Sequence, residues 1–338
     1  MDSLTPCKTH RFSEAAAVVA IFLLTLAATV FALTSGDIPV DIATAVNILK
    51  RGPANITEDA FAHQAIWTIR LPRLSAAFLA GAVLSLSALS ISAVFRSKLF
   101  TPTSAGISAG AVFGSACGKL IGLDFSTIFA VCGGISGILI TFLFGCRDRS
   151  TSMGLLLSGA ATGAILTSAA VILMHVGGSS PQNIALSLSG DFSGAEWRQI
   201  FTMLLVFCVY LFFTLHFSDM LVMLYAIPDL AAFGVSRWKS GSVILAAATA
   251  AASFIVSFFG MMPFLGMFSS YVIYGLFGTI NSVVIICCAL LGGSLLSILD
   301  TLARNMGAFS AGSLSTAILL PILIAMLLLH KKASREDC

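Results

Sequence analysis

Gly134-Ile135-Ser136-Gly137 is a place where residue types and spacing could do chemistry. A serine among small residues can act as a nucleophile when a base is within reach, and His175 could supply that base. Such a pair would make the chain an intramembrane serine protease. A four-residue pattern is weak in a chain with 29 glycines. Gly114-Ser115-Ala116-Cys117-Gly118-Lys119-Leu120 comes nearest to a phosphate-binding loop. It is one residue short, and Leu120 stands where a hydroxyl would hold magnesium. Any ATP that drives this chain is therefore hydrolysed by another one. The eight cysteines, Cys7, Cys117, Cys132, Cys146, Cys208, Cys287, Cys288 and Cys338, form no C-x-x-C pair. They read as small apolar packing residues, not as zinc ligands or a disulfide framework.

Asp, Glu, Lys and Arg within apolar stretches mark proton and ion pathways. The only one inside an expected span here is Lys119, in a last turn from which it can snorkel outward. His175 and His216 fall at span ends and His330 just beyond one. That argues against proton coupling, although backbone carbonyls can still bind sodium. A secondary carrier thus stands as the alternative to an ATP-driven one.

The elements that would position these residues are set by composition. The chain has 338 residues, 58% apolar and 10% charged, with a net charge of +3 and a mean hydropathy of +1.00. A soluble domain is roughly 25% charged. So few charges cannot cover so much apolar surface, and the bilayer is the natural solvent. No basic run points to nucleic acid. Lys8 and Arg11 precede an apolar run, Ala15 to Leu33, longer than a signal-peptide core of about 7–15 residues. It reads as a retained first helix.

A crossing needs about 20 apolar residues. The expected spans are 15–33, 74–95, 105–121, 125–144, 154–176, 199–216, 240–259, 264–277, 281–299 and 311–329. Between Ser240 and Leu299 there is no Asp, Glu, Lys or Arg. Breaks at Gly260–Pro263 and Gly278–Asn281 divide that stretch into three. The fold class is therefore all-α: a polytopic membrane protein of about ten helices in a single domain, 1–338. An even number of spans puts both termini on one side. That side holds 11 of the 18 basic residues, which makes it cytoplasmic. Gly106, Gly110, Gly114 and Gly118 recur every four residues, which places them on one helix face where a neighbour can approach closely. Gly159 and Gly163 repeat the device.

At Arg70-Leu71-Pro72-Arg73 the chain begins to resemble the FecCD/BtuC permeases, membrane subunits of bacterial importers for iron–siderophore complexes, haem and cobalamin. That family shows R-L-P-R, a small-residue helix, and a turn of the form N-P-L-A-x-P-x-x-L-G-x-x-x-G. Here the turn runs from Ser97-Lys98 through Pro102 to Gly106 and Gly110, with Ser97-Lys98 replacing Asn-Pro. Further on, Leu188–Trp197 resembles G-S-L-x-G-x-x-W, and Gly260–Gly266 resembles G-P-I-x-F-x-G. Asp300–Arg304 is similar to A-D-x-x-A-R, and Ser310–Pro321 to the start of the last helix. The family's P-H-x-x-R reads Ser270-Tyr271-Val272-Ile273-Tyr274, and its glutamate before the last helix is Ala308. The likeness runs from about residue 35 to 330.

The resemblance implies a permease that pairs with a second permease subunit, the same or different. A cytoplasmic ATP-binding-cassette ATPase and a periplasmic substrate-binding protein complete the assembly, in the inner (plasma) membrane of a bacterium. No cofactor and no metal is held by this chain; ATP is used by the partner ATPase. Arg70, Arg73 and Arg304 match arginines that dock the binding protein, since a guanidinium forks to carboxylates with two hydrogen bonds. Their alternative role is anchoring at lipid headgroups. The coupling loop, 218–237, resembles the family's L-x-L-G-E-E-x-A-R-x-L-G-V. Its contact residues would be Ala226, Ile227, Pro228, Asp229, Phe233, Gly234 and Val235, with the Gly-Glu-Glu lost. Spans five and ten would line the pathway with Ser158, Thr162, Ser168, Ser315 and Thr316. These departures mark a diverged member, for which pairing with a second, more typical permease and loss of function are both outcomes to test. The expected cargo is an iron–siderophore or haem, ahead of cobalamin.

Overall fold

The computed structural model describes residues 8–35, 41–52, 60–122, 126–145, 152–227, 237–307 and 309–336. In chain order the helices are α1 (Lys8–Thr34), α2 (Ile42–Arg51), α3 (Ala60–Gln64), a π-helical turn (Ala65–Arg70), α4 (Leu71–Phe95), α5 (Ile107–Leu120), α6 (Ser126–Gly145) and α7 (Ser152–Val176). There follow α8 (Pro181–Ser189), α9 (Trp197–His216), α10 (Ser218–Ala226), α11 (Arg237–Phe259), α12 (Leu265–Phe277), α13 (Ser282–Met306) and α14 (Ala311–Glu336). Each of the ten expected spans falls on one of these helices. Seven are long and apolar enough to cross a bilayer on length and composition, and Leu265–Phe277 and Ala311–Met326 are shorter apolar helices.

α4 is the hub, packed against α9, α10, α11, α12 and α13. Its apolar positions run all round it, as in a helix covered on every side, and most of its residues are buried. Its serines keep the hub polar without leaving hydroxyls bare. Ser87 and Ser92 donate to Val83 and Leu89 carbonyls of their own helix, each at 2.8 Å. Ser90 accepts from Tyr210 Oη at 3.1 Å, and Ser85 from Ser269 Oγ at 2.8 Å. These are interhelical bonds in a setting with little water to compete. The outer helices turn large apolar side chains outward: Phe22 and Leu26 on α1, Leu157 and Ile172 on α7, Phe201 and Phe212 on α9.

The glycine ridge of α5 lies against α6. A Cβ at Gly110 would overlap the Gly133 carbonyl, and one at Gly114 would overlap the Phe129 carbonyl. Gly159 likewise meets the Ser104 carbonyl, but Gly163 faces open space, so the repeat on α7 is only half used.

Two departures from the expected boundaries matter for function. The 40-residue gap before Arg73 carries α2, α3 and the π turn, which runs into α4 without a break. Pro72 has no N–H to donate and clashes with the carbonyl four residues earlier, and a widened turn there relieves both problems. The second departure is α13, which extends past residue 299 to Met306. Arg70, Arg73 and Arg304 therefore sit in helical turns, not in loops. α12 has 13 residues, roughly 20 Å of rise, and follows an irregular stretch, Gly260–Phe264. That stretch is tied down from α14, where Ser315 Oγ donates to the Pro263 carbonyl at 3.1 Å. Irregular backbone at membrane depth is tolerated when protein covers it in this way.

Candidate functional site

The two ends of α4 carry the two candidate sites. At its N-terminal end, Arg73 grips Asp300 of α13, with Nε 2.8 Å from Oδ2 and Nη2 3.0 Å from Oδ1. Asp191, in the α8–α9 loop, lies 3.8 Å from the same guanidinium. Its backbone N–H donates to the Phe259 carbonyl at 2.9 Å, and its carboxylate accepts from Ser193 Oγ. Arg70 is buried, and its Nη1 donates to the Leu33 carbonyl at 2.6 Å. Arg304 Nη2 donates to the Ala32 carbonyl at 3.0 Å and to the Ser35 carbonyl. The last carbonyls of a helix lack partners within it and carry partial negative charge. Two arginines from two other helices thus cap α1.

Arg70 is thus engaged inside the chain, extended neither to lipid headgroups nor to a docking partner. A buried guanidinium bonded to a helix end is not snorkelling to lipid. Sequence reasoning also missed the Arg73–Asp300 fork. A signal was present: an acid in the last turns of an apolar helix is costly unless paired.

At the other end of α4, Arg96 adopts a left-handed conformation, φ 52°, and closes the helix; the Ser97 N–H returns to the Ser92 carbonyl at 3.1 Å. Arg96 Nε donates to the Tyr225 carbonyl of α10 at 3.1 Å. Leu221 and Leu224 bury the inner face of α10. A cleft of about 550 Å³ opens here, lined by Arg96, Val222, Tyr225, Ala226, Gly278, Thr279 and Ile280. Desolvation lifts the Tyr225 phenol above its ordinary value, with Arg96 partly opposing, so it stays uncharged at neutral pH. Ala226 closes α10 and Ile227 follows in extended backbone. Pro228, Asp229, Phe233, Gly234, Val235 and the Ala308 position lie outside the described residues.

The five expected pathway residues are divided. Ser158 donates to the Thr141 and Leu155 carbonyls, and Ser315 to those of Pro263 and Gly312. Thr162 is buried, and its hydroxyl has no partner among the described residues. Ser168 is exposed on α7, and Thr316 is half-buried on α14. Ser136 lies midway along α6 with its hydroxyl donated to the Gly133 carbonyl at 2.8 Å. His175 lies in the last turn of α7. A nucleophile and its base must be within hydrogen-bond reach, and the Ser136 hydroxyl bonds to its own helix, not to His175. Among the described residues no group of three or more His, Cys, Asp or Glu could hold a metal ion.

The sequence profile of the FecCD transport family matches residues 23–330, and the chain belongs to that family. It is an ABC transporter permease, a non-catalytic transport subunit; ATP is used by an ATPase partner. It is 27% identical over 331 residues to a Methanocaldococcus jannaschii protein described as an ABC transporter permease, covering 91% of this chain and 93% of that one. It is 30% identical over 247 residues to the vitamin B12 import system permease protein BtuC of Escherichia coli, covering 71% and 75%. Among solved structures it is similar to a metal-chelate type ABC transporter in an inward-facing conformation. The TM-score is 0.75 at 19% identity, over 93% of this chain and 99% of that one. It is also similar to PsaBC of Streptococcus pneumoniae, with a TM-score of 0.62 at 15% identity, over 78% and 93%.

Proposed function

We propose that this chain is one half of the translocation channel of an ATP-driven importer. Its cargo is a metal chelate, an iron–siderophore or haem, with cobalamin the nearest competitor. The reading is supported by membership of the FecCD family, by likeness to a vitamin B12 import permease, and by the fold shared with a metal-chelate type transporter.

The observation that carries it is the pair of sites at opposite ends of one buried helix. The arginine end faces outward and receives a binding protein. The α10 end faces the cytoplasm, with both termini, and receives the ATPase. Closure of the ATPases moves the 218–237 segment, and the two permease halves rock between outward-open and inward-open states. The exposed face of α7, with Ser168, and α14, with Thr316, line the route between the halves. A wall without charge suits a bulky chelate that must pass without being held.

The test is purification of the protein in mild detergent from its native membrane, with mass spectrometry of what accompanies it. An ATP-binding-cassette ATPase in the complex supports the reading, and the same preparation distinguishes one permease from two. Uptake of iron–siderophore, haem or cobalamin into ATP-loaded proteoliposomes then assigns the cargo. Isolation of this chain without any ATPase, with crosslinking included, contradicts the reading.

A further inference from the structure

We infer that Lys98, with Tyr271 and Tyr274, forms a cation–aromatic joint that transmits movement of the α10 segment to α4 and α12. It rests on the importer reading above. Lys98, Tyr271 and Tyr274 stand at positions where the chain departs from the family pattern described earlier, and the structure brings them into one place. Lys98 Nζ lies 5.6 Å from the centroid of the Tyr271 ring and 5.7 Å from that of Tyr274. Both distances fall within the range in which a ring face attracts an ammonium.

The joint continues on both sides. Tyr225 of α10 stacks on Tyr274 of α12, with centroids 4.6 Å apart and planes 13° from parallel. The Tyr274 hydroxyl lies 3.0 Å from Ser92 Oγ on α4. Arg96, two residues before Lys98, holds the Tyr225 carbonyl at 3.1 Å. Tyr225 is thus held at two points: its carbonyl by the end of α4, its ring by α12. A displacement of α10 pulls on both helices at once.

The local backbone explains why Lys98 reaches α12. Left-handed Arg96 reverses the chain at the end of α4. The turn that follows is rigid: Phe100 N–H donates to the Ser97 carbonyl at 3.1 Å, and Ser104 Oγ donates to the Leu99 carbonyl at 3.0 Å. Phe100 is fully buried and stacks on Phe95 at 4.3 Å. Lys98 is therefore carried on a fixed loop, not on a free one. A cation that packs on two rings adds a directional contact where packing alone would allow slip.

The joint acts on coupling, so it is tested in the assembled permease–ATPase complex in nanodiscs. The readout is the rate of ATP hydrolysis relative to the isolated ATPase. Lys98→Met keeps most of the side chain's length and removes its charge; it is expected to lower that ratio on the order of fivefold, a loss in the range of one solvent-accessible cation–aromatic contact. Lys98→Arg is expected to preserve it. Tyr271→Phe keeps the ring and is expected to be silent, while Tyr271→Leu behaves like Lys98→Met. Assembly of each variant is checked by size exclusion. An unchanged ratio in an assembled Lys98→Met complex overturns the joint, and so does equal loss in Lys98→Arg and Lys98→Met. Wild-type protein that recruits no ATPase overturns the importer reading itself, which is a different result.

Discussion

Arg73 and Asp300 lie 227 residues apart in sequence and meet through two parallel hydrogen bonds of 2.8 and 3.0 Å. The side chains are 14% and 5% exposed, so the pair is shielded from water. Desolvating both ions offsets much of their attraction, but removing one partner leaves a buried charge unpaired. The fork joins the start of α4 to the end of α13. Near it, Arg70 and Arg304 bind the end of α1.

Asp300→Ala is therefore expected to destabilise the protein by about 3–5 kcal/mol. Thermal unfolding in detergent measures it. The double replacement Arg73→Met with Asp300→Leu recovers much of the loss, because neither member of the fork is left unpaired; Asp191, 3.8 Å from the lost guanidinium, is left with its Ser193 hydrogen bond. A double variant as unstable as Asp300→Ala alone would show that the fork is not what Asp300 contributes.

Arg304 caps α1 through the Ala32 and Ser35 carbonyls, so the test of its docking role includes rescue from the partner's side. Arg304→Glu is expected to weaken association with the binding protein at least tenfold, and a complementary acid-to-base change on the binding protein restores it. Surface plasmon resonance on nanodisc-held permease reads this directly. Loss that no complementary change rescues would mean that Arg304 serves only to cap α1.

The α5–α6 contact predicts opposite outcomes for two glycines. Gly110→Val places side-chain atoms against the Gly133 carbonyl and is expected to abolish accumulation of folded protein. Gly163→Ala enters open space and is expected to change the melting temperature little. Expression and fluorescence-detected size exclusion distinguish them.

Much of the fold was legible because lipid imposes a simple code. Long apolar runs, broken at Gly260–Pro263 and Gly278–Asn281, place the ten main helices to within seven residues at every end. The glycine steps from Gly106 to Gly118 identify the face that α6 covers. The helix ends were harder. The run from Ala65 to Arg73 contains charge, proline and polar residues, so hydropathy starts the span late, while the backbone continues as a π turn. The arginines were found through the family pattern, yet their partners are carbonyls of Ala32, Leu33 and Ser35 and a carboxylate 227 residues away. Main-chain partners leave no mark in sequence. The Lys98 contact was hidden for a similar reason: Tyr271 and Tyr274 read as losses until the structure placed a cation above them.

Thr162 carries a buried hydroxyl without a partner among the described residues. Thr162→Val is close in shape and removes the polar group, so it is expected to stabilise the protein by on the order of 1 kcal/mol. If Thr162 also faces moving cargo, the same change alters uptake by proteoliposomes. Thermal unfolding and uptake, measured together, separate packing from pathway.

The central claim is that the α10 end meets an ATPase and the arginine end does not. A photo-crosslinking amino acid placed at Ala226, and separately at Asn305, tests it in native membranes. The account predicts that the Ala226 probe captures a P-loop ATPase, while the Asn305 probe captures none. ATPase capture at Asn305, or none at Ala226 while the transporter remains active, would contradict it.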